Sequence, residues 1–259
     1  MSAVDCAFTV TGSGPPLIMV HGIGARRAGW LGLVDRLKND FLCVTYDLRG
    51  HGASPVPPPP YTLDDLVDDL EAVRARLGLE RTHIIGHSLG GMIGPAYARR
   101  YPARVMSLGL LSTAAFRTED DRAKVEAVIA AIERDGLDTV LPTLVARWYS
   151  DAFAAARPDA VAARLQQVKD TPLDVFLSVF RIYAGTEMAP WLHEISAPSL
   201  VLTGELDGGC NPRLNRRIAE ALPRSKLVIL DGLKHSILIE APERVAEPVR
   251  DFLTAGAGV

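Results

Sequence analysis

The chain has 259 residues, room for one large α/β domain with an insertion but not for two average domains in series. With 48% hydrophobic and 23% charged residues it is composed like a globular protein with one sizeable core, which excludes a disordered chain. Lys and Arg total 28 against 31 Asp and Glu, a net charge of −3, so neither nucleic acid nor an anionic membrane is the expected partner.

No apolar run approaches the roughly eighteen residues of a membrane span, and no secretory leader is visible from Met1 to Asp5. Cys6, Cys43 and Cys210 are widely spaced and form no C-x-x-C pair. They read as incidental thiols in a reducing compartment, the cytoplasm.

Short apolar runs alternate with longer helical patterns, the sequence form of parallel βαβ construction. Leu17 to Val20 and Leu42 to Tyr46 read as strands. The proline run from Pro55 to Pro60 reads as a stiffened loop. Thr62 then offers an N-cap to Leu63, Leu66, Val67, Leu70, Val73 and Leu77 at helical spacing, with Gly78 as the stop. Thr82 to Ile85 reads as the next strand, followed by a small-residue helix in which Pro95 predicts a local kink.

After a strand over Val105 to Leu111, strand signals vanish between Arg117 and Glu187. In their place come four helical stretches. Val125, Val128, Ile129 and Ile132 make one stripe, ended at Asp135-Gly136; Val140, Leu141, Leu144, Val145 and Trp148 make the second. Pro158 and Pro172 mark the other two starts. Strands resume at Leu200 to Leu202 and Leu227 to Leu230. The pattern predicts one core from residues 1–116 and 188–259, interrupted by a helical insertion at 117–187.

Gly86-His87-Ser88-Leu89-Gly90 stands between an apolar strand and a helix, the setting in which G-x-S-x-G means a sharp turn exposing a serine hydroxyl. A serine needs a base to become a nucleophile, and the base needs a carboxylate to hold its tautomer. Asp207 follows one later strand and His235 follows the next. The order Ser88, Asp207, His235 is the one expected when all three sit at the carboxyl edge of a parallel sheet. A developing oxyanion needs N–H donors, which Leu89 and Ile23 can supply, the latter from the glycine loop His21-Gly22-Ile23-Gly24.

Asp47 and Asp231 are rival acids but read as loop and turn residues. His21 and His51 lie in glycine loops, and His83 and His193 read as ordinary core or surface histidines. His87 is expected beside the pocket as a substrate contact. No metal-ligand spacing, G-x-G-x-x-G or G-K-[ST] occurs, so neither a metal nor a nucleotide cofactor is expected.

At these residues the sequence resembles the α/β-hydrolase superfamily. The stretches His21 to Gly24, Tyr46 to Ser54, Gly86 to Gly91 and Gly204 to Asp207, then His235, match its motifs in order and spacing across nearly the whole chain. The resemblance implies a mostly parallel sheet of about eight strands, with a helical lid inserted after the sixth and a short antiparallel edge strand near Ala7 to Val10.

Within the superfamily the chain is most similar to small esterases and lactonases of the 3-oxoadipate enol-lactonase type; Arg147 to Phe153 resembles that group's R-W-F-x-x-x-F lid stretch. This implies hydrolysis of small carboxylic esters or lactones through an acyl-enzyme on Ser88, without cofactor. Thr186-Glu187-Met188 departs from the group's usual continuation and leaves the substrate open. Trp148 is either lid core or a substrate contact, and Arg147 is expected in a surface ion pair, with a substrate carboxylate as the alternative partner.

A carbon–carbon bond hydrolase acting on a vinylogous diketone would use the same triad, although His87 stands where such relatives often carry Asn. A non-catalytic small-ligand receptor is the alternative of another class. Oligomeric state stays open, a homodimer included.

Overall fold

The computed structural model describes residues 2–255. Its strands lie close to the apolar runs: β1 (Phe8–Thr11), β2 (Pro16–Val20), β3 (Leu42–Tyr46), β4 (Thr82–His87), β5 (Val105–Leu111), β6 (Ser199–Gly204) and β7 (Ser225–Leu230). They form one sheet in the order β1-β3-β2-β4-β5-β6-β7. Strands β2 to β7 pair in parallel, while β1 runs antiparallel to β3 at the edge, Phe8 opposite Tyr46.

The sheet has seven strands among the described residues, where about eight were expected. Ahead of β1 the backbone makes other contacts, Val4 N–H donating to Asp69 and Cys6 N–H to the Val4 carbonyl, and no further strand joins the edge among the described residues. The helical insertion therefore follows the fifth strand of this sheet, not a sixth.

Helices cover both faces, which is why most of the parallel strands are continuously apolar. α1 (Leu31–Leu37) follows β2, α2 (Leu63–Arg76) follows β3, and α3 (Gly90–Arg100) follows β4. Between β5 and β6 come α4 (Glu119–Asp135), α5 (Leu137–Trp148), α6 (Asp151–Ala156), α7 (Pro158–Lys169) and α8 (Leu173–Gly185). α9 (Pro212–Ala221), α10 (Ile237–Glu240) and α11 (Pro242–Ala255) complete the described chain.

Side chains alternate across β2: Ile18 and Val20 pack with α2 and α3, Leu17 and Met19 with α1 and α11. The insertion has a small core of its own around Ile132, Leu141, Val168 and Phe176. No helix among the described residues is long and apolar enough to cross a membrane.

Local chemistry explains the helix starts. Thr62 accepts the Asp65 N–H while Asp65 accepts the Thr62 N–H, a reciprocal capping box. α3 runs on through Pro95. α6 is a fifth helix where four helical stretches were expected, started by the Ser150 side chain accepting the Phe153 N–H. That N-cap is a local sequence signal lying within the stretch that resembles the lid motif.

Arg49 is fully buried and grips Asp69 through Nε and Nη2 at 2.6 and 2.7 Å, tying the loop after β3 to α2. Asp47 holds the same loop differently, accepting the Arg27 N–H at 2.7 Å and the Ala53 N–H at 3.0 Å.

Candidate active site

Parallel strands all point the same way, so the loops after β2, β4, β6 and β7 converge at one edge of the sheet. Ser88 directly follows β4 with φ +57°, in the left-handed region. Its N–H donates to the Leu111 carbonyl at 2.9 Å; its carbonyl accepts the Gly91 N–H at 3.0 Å and the Thr113 hydroxyl at 2.9 Å. The flanking glycines are sterically required. A Cβ on Gly86 would lie 1.9 Å from the Gly90 carbonyl oxygen, and one on Gly90 would lie 2.0 Å from that of Val20.

His235 Nδ1 donates to Asp207 Oδ2 at 2.7 Å. The other oxygen of Asp207 accepts backbone N–H groups from Gly209 at 3.0 Å and Cys210 at 2.8 Å. Burial opposes the Asp207 charge, but His235 and these amides outweigh it and hold the carboxyl below its usual range. Burial likewise opposes a charge on His235, and the adjacent Asp207 carboxylate overrides it, raising the imidazole's proton affinity.

Bonds from β4 and from the inserted helices help fix the His235 loop. His87 Nε2 donates to the His235 carbonyl at 2.9 Å, Ser236 N–H to the Trp148 carbonyl at 2.9 Å, and Lys234 Nζ to that of Ala146 at 2.9 Å. His87 borders the cavity as expected, yet its hydrogen bond goes to the backbone of the loop carrying His235. Burial lowers its pKa to about 3 and keeps it neutral. Ser88 and His235 share the cavity wall without a direct side-chain hydrogen bond among the described residues. Catalytic bonds of this kind commonly tighten only with the reactant present.

The glycine loop is oriented by two histidines. His21 Nε2 accepts the Leu48 N–H at 2.9 Å, so Nδ1 carries the proton and donates to the Gly22 carbonyl at 2.8 Å. In a trans peptide C=O and N–H point in opposite directions, so pinning the Gly22 oxygen aims the Ile23 N–H the other way. His51 Nε2 accepts the Gly24 N–H at 3.1 Å while its Nδ1 donates to the Arg49 carbonyl. Gly22 packs against Ser88; a Cβ there would lie 2.9 Å from that of the serine. The Ile23 and Leu89 amides have no intramolecular acceptor among the described residues. The Leu89 side chain turns into the core, leaving only its backbone for the site.

These neutral histidines carry a pH cost. Burial holds His51 and His83 at about 4 and His21 well below its ordinary value. Their protons bind the unfolded chain more tightly than the native one, so stability present above pH 6.5 is lost as pH falls. From pH 7 to 5 the loss is about 2 kcal/mol for each of His51 and His83, with His21 adding in the same direction, while His235, shifted upward, offsets only about 1 kcal/mol. Thermal melts are expected to drop by roughly 10 °C over that interval. A Tm constant to within a few degrees would contradict a neutral, buried state for these rings.

Over the serine lies a cavity of about 180 Å³, bounded on the sheet side by Ser88, Asp207 and His235. The inserted helices close it with Val125, Val128, Leu144, Phe176 and Phe180. Trp148 borders the cavity and also packs against the insertion's core, so both expectations for it meet in one side chain. Arg147 is exposed and borders the cavity, with no carboxylate partner among the described residues. The expected surface ion pair is absent there; the acids at the two ends of α5 pair with lysines, Asp138 with Lys169 and Asp151 with Lys234.

Cys210 borders the cavity, as its place beside Asp207 allows, and Arg164 and Tyr183, which no motif marks, border it too. Nothing in the spacing around Arg164 marks it; Cys210 stood only three residues beyond Asp207.

Donor atoms of Asp207, Cys210 and His235 lie within 4.8 Å of one another. Asp207 and His235 spend their facing atoms on each other, and the second Asp207 oxygen takes two amides. A cation would have to break those bonds, so the donor set suits a proton relay better than a metal.

A family model described as alpha/beta hydrolase fold matches residues 15–242. The 3-oxoadipate enol-lactonase 1 of Acinetobacter baylyi is 28% identical over 241 residues, covering 92% of this chain and 88% of the relative. Among solved structures, a thermophilic esterase from Thermogutta terrifontis superposes with a TM-score of 0.88 at 27% identity, covering 98% of this chain and 94% of that one. The enol-lactonase from Burkholderia xenovorans LB400 shares the fold with a TM-score of 0.89 at 24% identity, over 98% of this chain and 99% of its own. With its strand-turn-helix serine, parallel sheet and matching family model, the chain belongs to the alpha/beta hydrolase fold family.

Proposed function

We propose that the protein is a serine hydrolase of small carboxylic esters or lactones, with Ser88 as nucleophile, His235 as base and Asp207 as its orienting acid. The observation that carries this is the 2.7 Å Asp207–His235 hydrogen bond on the wall of the same cavity as the strained Ser88. Relatives and structural neighbours named enol-lactonase and esterase support the ester or lactone bond as the one cleaved.

Ser88 Oγ attacks the carbonyl carbon while His235 Nε2 takes its proton. The oxyanion forms against the Ile23 and Leu89 N–H groups. Collapse expels the alkoxide, which His235 protonates; in a lactone it stays tethered to the acyl group. His235 then deprotonates a water that attacks the acyl carbon, releasing the acid and restoring Ser88. Helices α4 to α8, within residues 117–187, act as the cover, and their apolar wall favours an uncharged reacting group.

Labelling with a fluorophosphonate followed by peptide mass spectrometry is expected to place one adduct on Ser88, lost in His235→Ala. An adduct elsewhere, or none beside undiminished ester turnover, would remove Ser88 from this role. Kinetics on 4-nitrophenyl esters of increasing acyl length, run beside enol-lactones, separates a general esterase from a dedicated lactonase.

A further inference from the structure

We infer that Arg164, on inserted helix α7, is a positioning residue that clamps the oxyanion loop by holding the carbonyls of Ile23 and Gly24. The inference rests on the hydrolase proposed above. Arg164 Nη2 donates to the Ile23 carbonyl at 2.9 Å and Nη1 donates to the Gly24 carbonyl. Its guanidinium lies over the Trp148 ring, 4.8 Å from the centroid, and it has no carboxylate partner among the described residues. A half-buried cation without a counter-ion is unfavourable unless its donors are used. Here the backbone of the glycine loop uses them.

Two peptide units flank Ile23. The Gly22 carbonyl is held by His21 and by the Ala25 N–H, the Gly24 N–H by His51, and the Ile23 carbonyl by Arg164. The fourth polar group, the Ile23 N–H, is left free for an oxyanion. Gly24 has φ +60°, and glycine resists rotation of the adjoining peptide less than any other residue. Without Arg164 the Ile23–Gly24 unit is anchored only through its N–H, and the aim of the Ile23 amide loosens with it.

Of the side chains bonded to this stretch among the described residues, Arg164 alone comes from the insertion. The position of the covering helices is thereby coupled to the geometry of the oxyanion donor. Burial lowers the guanidinium pKa to about 10, so it stays charged at neutral pH and adds a positive field beside the Ile23 peptide.

The test is turnover of 4-nitrophenyl butyrate by wild type, Ser88→Ala, Arg164→Gln and Arg164→Lys, with inhibition by butylboronic acid, which forms a tetrahedral adduct on an active serine. Arg164→Gln is expected to lower kcat by about 10- to 100-fold with KM within about threefold, and to weaken boronate inhibition by a similar factor, because the lost geometry matters only to the tetrahedral state. The pH midpoint of kcat/KM, set by His235, stays in place. Arg164→Lys, which keeps the charge but not the fork, falls between the two.

A kcat within twofold of wild type, a rise in KM alone, or a shifted pH midpoint would each overturn the clamp. Circular dichroism melts check folding. If the glutamine variant fails to fold, the lysine variant is read instead: a kcat loss of about threefold or more at constant KM supports the clamp, and wild-type kcat overturns it. Wild-type activity that depends on Ser88 while ignoring Arg164 overturns the clamp alone. Absence of Ser88-dependent turnover overturns the hydrolase, and the clamp with it.

Discussion

With Asp207 replaced by asparagine, kcat toward 4-nitrophenyl butyrate is expected to fall by about 10⁴-fold while the fold is kept. The direction follows from the hydrogen bonds around the carboxylate. Oδ1 accepts two backbone N–H groups, so an asparagine must place its carbonyl oxygen there and turn its NH₂ toward His235. The NH₂ cannot accept from Nδ1. His235 is then driven to carry its proton on Nε2, where it can no longer take the one from Ser88.

Side-chain volume and burial are nearly unchanged, so the melting temperature is expected to move far less than the rate. Asp231→Asn, at an exposed turn, is the matched control and keeps wild-type turnover. A loss under about 100-fold for Asp207→Asn would mean that His235 does not depend on this carboxylate.

Ser88→Gly is expected to abolish the acyl-enzyme route, lowering kcat by roughly 10³- to 10⁶-fold, and at the same time to raise stability. At φ +57° an L-residue carries about 1–2 kcal/mol of strain. Glycine adopts this conformation freely, though its looser unfolded state returns about 0.5–1 kcal/mol of the difference. The net is on the order of 1 kcal/mol, or about 2–4 °C in Tm for a chain of this size.

Ser88→Ala separates the two effects. It removes the nucleophile and keeps the Cβ that causes the strain, so it should be as inactive as the glycine variant without its added stability. Equal melting temperatures for the two would limit the strain at Ser88 to the roughly 0.5–1 kcal/mol that glycine's unfolded-state freedom returns. Backbone strain of this kind clusters at functional sites.

The elements legible in the sequence are those whose cause is local. α2 was readable because Thr62, Asp65 and the apolar stripe lie within a few turns of one another, and each contributes to starting or burying the helix. The turn at Ser88 was readable because its glycines relieve clashes within the same strand-turn-helix unit. α6 carried an equally local signal in Ser150 and was overlooked.

Partnerships of long reach left no comparable trace. His87 meets the His235 carbonyl across 148 residues, and Arg164 meets Ile23 across 141. Periodicity says which face of an element is apolar, but not which backbone group a polar side chain on that element will find. Arg147 shows the same limit, expected in an ion pair and instead left beside the cavity.

By itself the sequence determined the strand-helix alternation, the loss of strand signals after β5, and the order of the three polar residues after their strands. These follow from residue size, backbone freedom and apolar spacing, which act over a few residues. Only the tertiary structure brings Asp207, the acid favoured by its place after a strand over Asp47 and Asp231, to 2.7 Å from His235. It also decided that the Ile23 amide is left free while the groups around it are pinned. Those outcomes depend on how the parallel strands register, because the sheet brings the ends of β2, β4, β6 and β7 side by side however far apart they lie along the chain.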